Sequence, residues 1–190
     1  QTQFSTKGSF VKHHWHDEIE LIYFFSGDFR LEINMEQFFI RSECLYFINS
    51  GELHSIITEK SGSLGEYAVV FNPSILNLDP YDSIQIRLIQ PLQDGKLLFP
   101  RCLLPEHSAF QSVRDTFMDI INMIKDPFKN DLMIKDGTSI DDLSSQLYIK
   151  SSLLHILSIL LSHQMLAPIE NNYDKRVEDI KAVLTYIKEN

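Results

Sequence analysis

Up to about Pro100 the apolar residues come in short blocks divided by turn residues, and beyond it they recur every three or four positions. HHWHDEIELIYFFSG is rich in aromatic and β-branched residues and closes on Ser26-Gly27-Asp28, which predicts a strand and a turn. In FRLEI, Phe29, Leu31 and Ile33 fall on one face, and Arg30 and Glu32 on the other. Asn34 to Gln37 makes a hairpin-length gap before Phe38-Phe39-Ile40. Cys44 to Ile48 predicts the next strand, Asn49-Ser50-Gly51-Glu52 a turn, and Leu53 to Thr58 a further short strand. The loop EKSGSLGE leads to Tyr67 to Phe71. IQIRLI, with Ile84, Ile86 and Leu88 set against Gln85 and Arg87, predicts one more strand. Many short strands at near-regular spacing imply a sandwich, jelly roll or barrel.

Near Pro105 the period changes. Phe110, Val113, Phe117, Ile120, Ile121 and Ile124 predict an amphipathic helix, with Pro105 in its first turn and Pro127 beyond its end. KNDLMIKDGTSID reads as a polar connector. A second helix is expected from about Asp141 to Ser162, with Asp141-Asp142 complementing its dipole. Leu143, Leu147, Leu154, Leu157 and Leu161 form one stripe on it, and Leu153, Ile156 and Leu160 a second. A helix apolar on most of its circumference is buried on more than one side. After Ala167-Pro168, Asp174 suits an N-cap, and Val177, Ile180, Val183, Leu184 and Ile187 form a last stripe. That stripe has nothing after it to pack against, so the natural chain is expected to continue.

Composition narrows the class. The 190 residues are 44% apolar and 23% charged, which is ordinary for a folded domain. No apolar run approaches the roughly 20 residues of a membrane span, and no secretory signal opens the chain, so a cytoplasmic location is expected. Seventeen basic against twenty-six acidic side chains give a net charge of −9, which repels phosphate and argues against direct nucleic-acid binding. Cys44 and Cys102 have no metal or disulfide spacing and read as ordinary core residues in a reducing compartment. No G-x-S-x-G turn, P-loop or dinucleotide fingerprint is present.

The chemistry gathers on histidines. His14 and His16 share a strand face with Glu20, yet Glu20 lies roughly 20 Å from His14 along a straight strand. One ion could join them only if the chain reverses near Asp17-Glu18. Gly8, His14-x-His16, Glu20 and Gly27, with five, three and six residues in the gaps, resemble the first cupin motif. Gly51-x-x-His54 resembles the second, although Glu43, Asn49 and Thr58 replace its Gly, Pro and Asn. Strands of this kind, then two long helices, then RVEDIKAVLTYIKEN, resemble an AraC/XylS-type bacterial transcription regulator.

The resemblance implies an α+β fold: a cupin-like β-barrel (double-stranded jelly roll), a helical dimerisation region, and the start of a helix-turn-helix domain. The expected divisions are 1–104 for the effector-sensing barrel, 105–168 for the dimerisation helices, and 169–190 for a linker and the first DNA-binding helix. It implies a small-molecule effector such as a sugar, a homodimer, and DNA contact only through a C-terminal domain mostly absent here. His14, His16, Glu20, Tyr46 and His54 are the candidate effector contacts. His14, His16, Glu20 and His54 are also candidate ligands for divalent Zn, Ni, Fe or Mn; a polar effector cluster or a structural remnant are the other readings. Leu147, Leu153, Leu154, Leu157, Leu160 and Leu161 are the candidate dimer contacts. No catalytic residue is assigned; the rival function is a metal-dependent cupin isomerase or dioxygenase, and a third is a purely structural oligomerisation module. His13 should face outward. His107, His155 and His163 read as structural, and Trp15, Tyr23, Phe24, Tyr46 and Phe47 as core or as stacking surfaces for a sugar.

Overall fold

The computed structural model describes residues 10–58, 65–124, 142–169 and 175–189. Gly8, Pro127, the connector ahead of the second long helix, Asp141 and Asp174 lie outside them, as does the Ile187 side chain. Seven strands come first: β1 (Phe10–His14), β2 (Ile19–Ser26), β3 (Phe29–Ile33), β4 (Glu36–Ile40), β5 (Cys44–Ile48), β6 (His54–Thr58) and β7 (Gly65–Phe71). Short strands β8 (Leu97–Leu98) and β9 (Cys102–Leu103) follow. One antiparallel sheet has the order β1-β6-β3-β4 and the other β7-β2-β5-β9.

Patterning explains the layers. In β3 only Phe29, Leu31 and Ile33 are buried, because its other face meets solvent. In β5 all five residues are buried, since that sheet is covered on both sides and reads as a continuous apolar run. Ile22, Phe24, Tyr46 and Ile48 join Phe29, Leu31, Ile33 and Ile56 in the barrel core. Leu21, Tyr23, Leu45 and Phe47 belong to a second core shared with the helices α2 (Phe110–Ile124) and α3 (Leu143–Ser162). Asp142 caps α3 by accepting the Ser145 amide at 2.7 Å.

Four expectations need correction. The β3–β4 hairpin is tighter than its polar run suggested: Asn34 and Met35, at φ 48° and 72°, make a two-residue turn of the type that matches strand twist. IQIRLI is not a strand. Gln85–Ile89 form a π-helical turn that runs into α1 (Gln90–Gln93). Asp82 accepts the Ile84 amide at 2.7 Å, and Gln85, Ile89 and Leu92 turn inward at helical spacing while Ile84 and Ile86 stay exposed. Pro105 lies in the turns before α2, not in its first turn, because α2 starts at Phe110.

The last correction concerns α3. Leu153, Leu157 and Leu160 are at most 3% exposed, in the same core as Phe117 and Ile120, so they are not free to meet a second copy. Leu143, Leu147 and Leu161 remain 80%, 68% and 49% exposed. The period of three and four holds along α3, but Leu157 belongs to the inward side.

The chain after α3 returns to the barrel. Strand β10 (Ala167–Pro168) pairs with β8, and the Ile169 amide donates to Lys96 O at 3.0 Å. Beyond β8, the Asn49 side chain accepts the Phe99 amide at 2.8 Å. Arg101 then forks onto Glu52 at 2.7 and 2.6 Å. Helix α4 (Lys175–Glu189) ends the described chain.

Candidate metal and effector site

The chain does reverse at Asp17-Glu18, and the reversal brings four side chains together. His14 comes from the end of β1, His16 from the following turn, Glu20 from β2 and His54 from the start of β6. His14 pairs with His54 across β1 and β6, after a register shift between Val11 and His14. That shift lets Val11 and His14, three apart, both line one cavity. Gly51, at φ +75°, makes the turn before β6, and its amide donates to His16 O at 2.8 Å.

Each imidazole is held by one nitrogen. His14 Nδ1 donates to Lys12 O at 2.9 Å, His16 Nδ1 to Glu18 O at 3.1 Å, and His54 Nδ1 to Glu52 O at 2.8 Å. A carbonyl can only accept, so in each neutral ring the proton sits on Nδ1 and Nε2 is turned towards the site. The three rings offer ligand atoms within 4.8 Å of one another. Glu20 Oε2 lies 3.4 Å from His16 Nε2 and 3.2 Å from His54 Nε2. His54, 1% exposed, leaves Nε2 buried and without a hydrogen bond. Three oriented imidazoles, one carboxylate and an orphaned Nε2 fit a divalent ion, with backbone carbonyls fixing the rings from behind.

Electrostatics couple the four side chains. Burial would raise the Glu20 carboxyl, but the hydrogen bond from His16 and the close imidazole of His54 outweigh it and bring it to about 2. The bond to Glu20 raises His16. Burial, with His54 nearby, lowers His14, so that imidazole favours its neutral, ligating form.

The cluster closes one end of a cavity of about 280 Å³. Val11, Ile56, Ala68 and Val70 line its apolar wall, and Glu18 and Glu66 complete the polar lining. Sequence reasoning missed Glu66, assigning it to a loop. Its parity with Ala68 and Val70 was the available signal. Tyr46 is not among the lining residues: its ring is buried against Phe24 and Phe38. Tyr23 faces the helices, its hydroxyl bonded to Glu43. His13 is exposed and meets Glu32 at 2.8 Å. His107 and His163 pack edge to face away from this site, and His155 is exposed. Cys44 is buried and Cys102 half-buried, both free.

A cupin-type barrel with a ligand-sized cavity and helices on one sheet defines a small-molecule-binding domain. Residues 5–135 match the AraC-like ligand binding domain, and the chain belongs to that family. No curated protein matches the sequence. Among solved structures, ToxT from Vibrio cholerae is 10% identical with a TM-score of 0.45, over 98% of this chain and 62% of that one. KdgF from Halomonas sp. is 16% identical with a TM-score of 0.32, over 35% of this chain and 62% of that one. A mutant oxalate decarboxylase OxdC from Bacillus subtilis is 26% identical with a TM-score of 0.31, over 36% of this chain and 19% of that one. The matches thus span about three-fifths of ToxT and KdgF and about one-fifth of the decarboxylase.

Proposed function

We propose that the chain is the effector-sensing and dimerising part of a ligand-responsive transcription regulator, and that it is not an enzyme. The observation that carries this is the convergence of His14, His16, Glu20 and His54 on one end of a partly open, partly apolar cavity. A divalent Zn, Ni, Fe or Mn ion held by these four side chains would supply a Lewis-acidic anchor for an effector oxygen. The chain's own residues orient that anchor, and Val11, Ile56 and Ala68 offer apolar surface to the rest of the ligand. A sugar-like effector remains the family-based expectation. The same donor set would serve a cupin enzyme. Two long helices on the barrel and α4 after them favour the regulator.

Dimerisation is assigned to the uncovered stripe of α3, Leu143, Leu147 and Leu161, with Leu154 half-buried between this row and the core. Exposed leucines in one row are costly in water, and a two-fold axis sets such a row against itself. DNA contact belongs to a C-terminal domain, whose opening helix α4 resembles. No described helix is long and apolar enough to cross a membrane. The working location is the cytoplasm.

The test is metal analysis of the purified chain by elemental mass spectrometry, beside a variant carrying His16→Ala and His54→Ala. One divalent ion per chain, lost in the variant, is expected. Equal metal content in both proteins, with equal thermal stability on adding Zn²⁺, would return the cluster to a structural role.

A further inference from the structure

A second polar group faces the cavity, and nothing in the family match accounts for it. On β7, Val70 lies opposite Glu20, Ala68 opposite Ile22 and Glu66 opposite Phe24. Ile22 and Phe24 point into the barrel, so Glu66 shares the interior face. It stands four residues along the strand from the level of Glu20, about 13 Å at 3.3 Å per residue. Its Oε2 atom is buried and has no hydrogen-bond partner among the described residues. A buried carboxylate oxygen with no partner is costly and calls for a reason.

The charge around it indicates what is missing. Glu18, Glu20 and Glu66 line the cavity, and among the described residues no Lys or Arg joins them. The histidines gather at the Glu20 end, leaving Glu66 beside the apolar wall with no imidazole near it among the described residues. A second acidic group in the effector would add repulsion there. A donor, and best a cationic one, would satisfy the orphaned oxygen and offset the excess of carboxylates.

We propose that Glu66 is a recognition residue and that the effector carries a primary ammonium group that binds it, at the far end of the cavity from the histidines. This rests on the cavity being the effector site. Its length then calls for a small, elongated amine with an oxygen at the opposite end. Glu66 fixes which end points inward, and the histidine end takes the oxygen.

The test uses three probes with one five-carbon scaffold: 5-aminopentan-1-ol, pentane-1,5-diol and 5-hydroxypentanoate. Each is titrated by calorimetry into the whole chain, with and without Zn²⁺, and into Glu66→Gln. The amine should bind about tenfold more tightly than the diol, and the carboxylate most weakly, with the amine's advantage lost in Glu66→Gln. An unchanged order in Glu66→Gln, a preference for the carboxylate, or no binding of the amine would overturn the proposal. Loss of zinc uptake alone would count against the metal reading and not against this one, since the ammonium preference is read in both states. Glu66→Leu supplies a separate check. It should raise the thermal midpoint of the ligand-free chain, and a fall would mean that Glu66 serves the fold.

Discussion

Glu20 and Glu66 line one cavity, yet their surroundings move their carboxyls in opposite directions. Burial raises both; only Glu20 has imidazoles to reverse the effect. Glu20 drops from 4.5 to about 2, so its contribution to stability is present above pH 4.5 and is lost as pH falls towards 2. Burial, and then the charge of Glu20, push Glu66 from 4.5 up to about 7. Its protonated form is favoured in the fold, so stability is lost as pH rises from 4.5 through 7. Scanning calorimetry of the metal-free chain should therefore show Glu66→Gln melting a few degrees higher at pH 8 and nearly unchanged at pH 4. Glu20→Gln should flatten the decline below pH 4.5; a parallel decline in that variant would remove Glu20 as its cause. The histidines and Glu20 were legible in the sequence because their types and spacing are unusual. Glu66 was not, because a single carboxylate beside a Gly- and Ser-rich loop looks like a solvated one.

At the scale of elements, α3 shows where periodicity stops being informative. Its leucines wrap the cylinder, and spacing alone cannot say which row meets α2. The structure divides them. Ile156→Ala should cost about 2–5 kcal/mol in denaturant unfolding, as truncations in a filled core do. Leu147→Glu should leave that stability within about 0.5 kcal/mol, because the residue is exposed. Instead it should halve the sedimenting mass at micromolar concentration. A mass already near 22.1 kDa in the wild type would end the dimer assignment. IQIRLI failed for a related reason. Its alternation was real, but Asp82 caps the turn, and Gln85, a residue that an apolar-pattern reading sends to solvent, is buried where its side chain accepts the Leu78 amide at 2.9 Å.

At the scale of the molecule, the order of barrel, helices and final helix could be read from the changes of period. The net charge of −9 still sets the expectation for nucleic acid: residues 1–190 should give no sequence-specific retention in a gel shift, and nanomolar specific binding would contradict it. What could not be read is how distant segments are joined. Arg101 and Glu52 are 49 positions apart, and neither carries a motif. Their fork secures the turn that supplies His54, on a ribbon that also holds Phe99 and, through β8, the strand after α3. Whatever sharpens one end of such a ribbon is felt at the other, and by reciprocity the coupling is equal in both directions. Occupying the histidines should therefore slow hydrogen exchange at the Phe99 and Ile169 amides. A tug on the chain beyond Ile169, of the kind a partner bound there would exert, should loosen the ligand by the same factor.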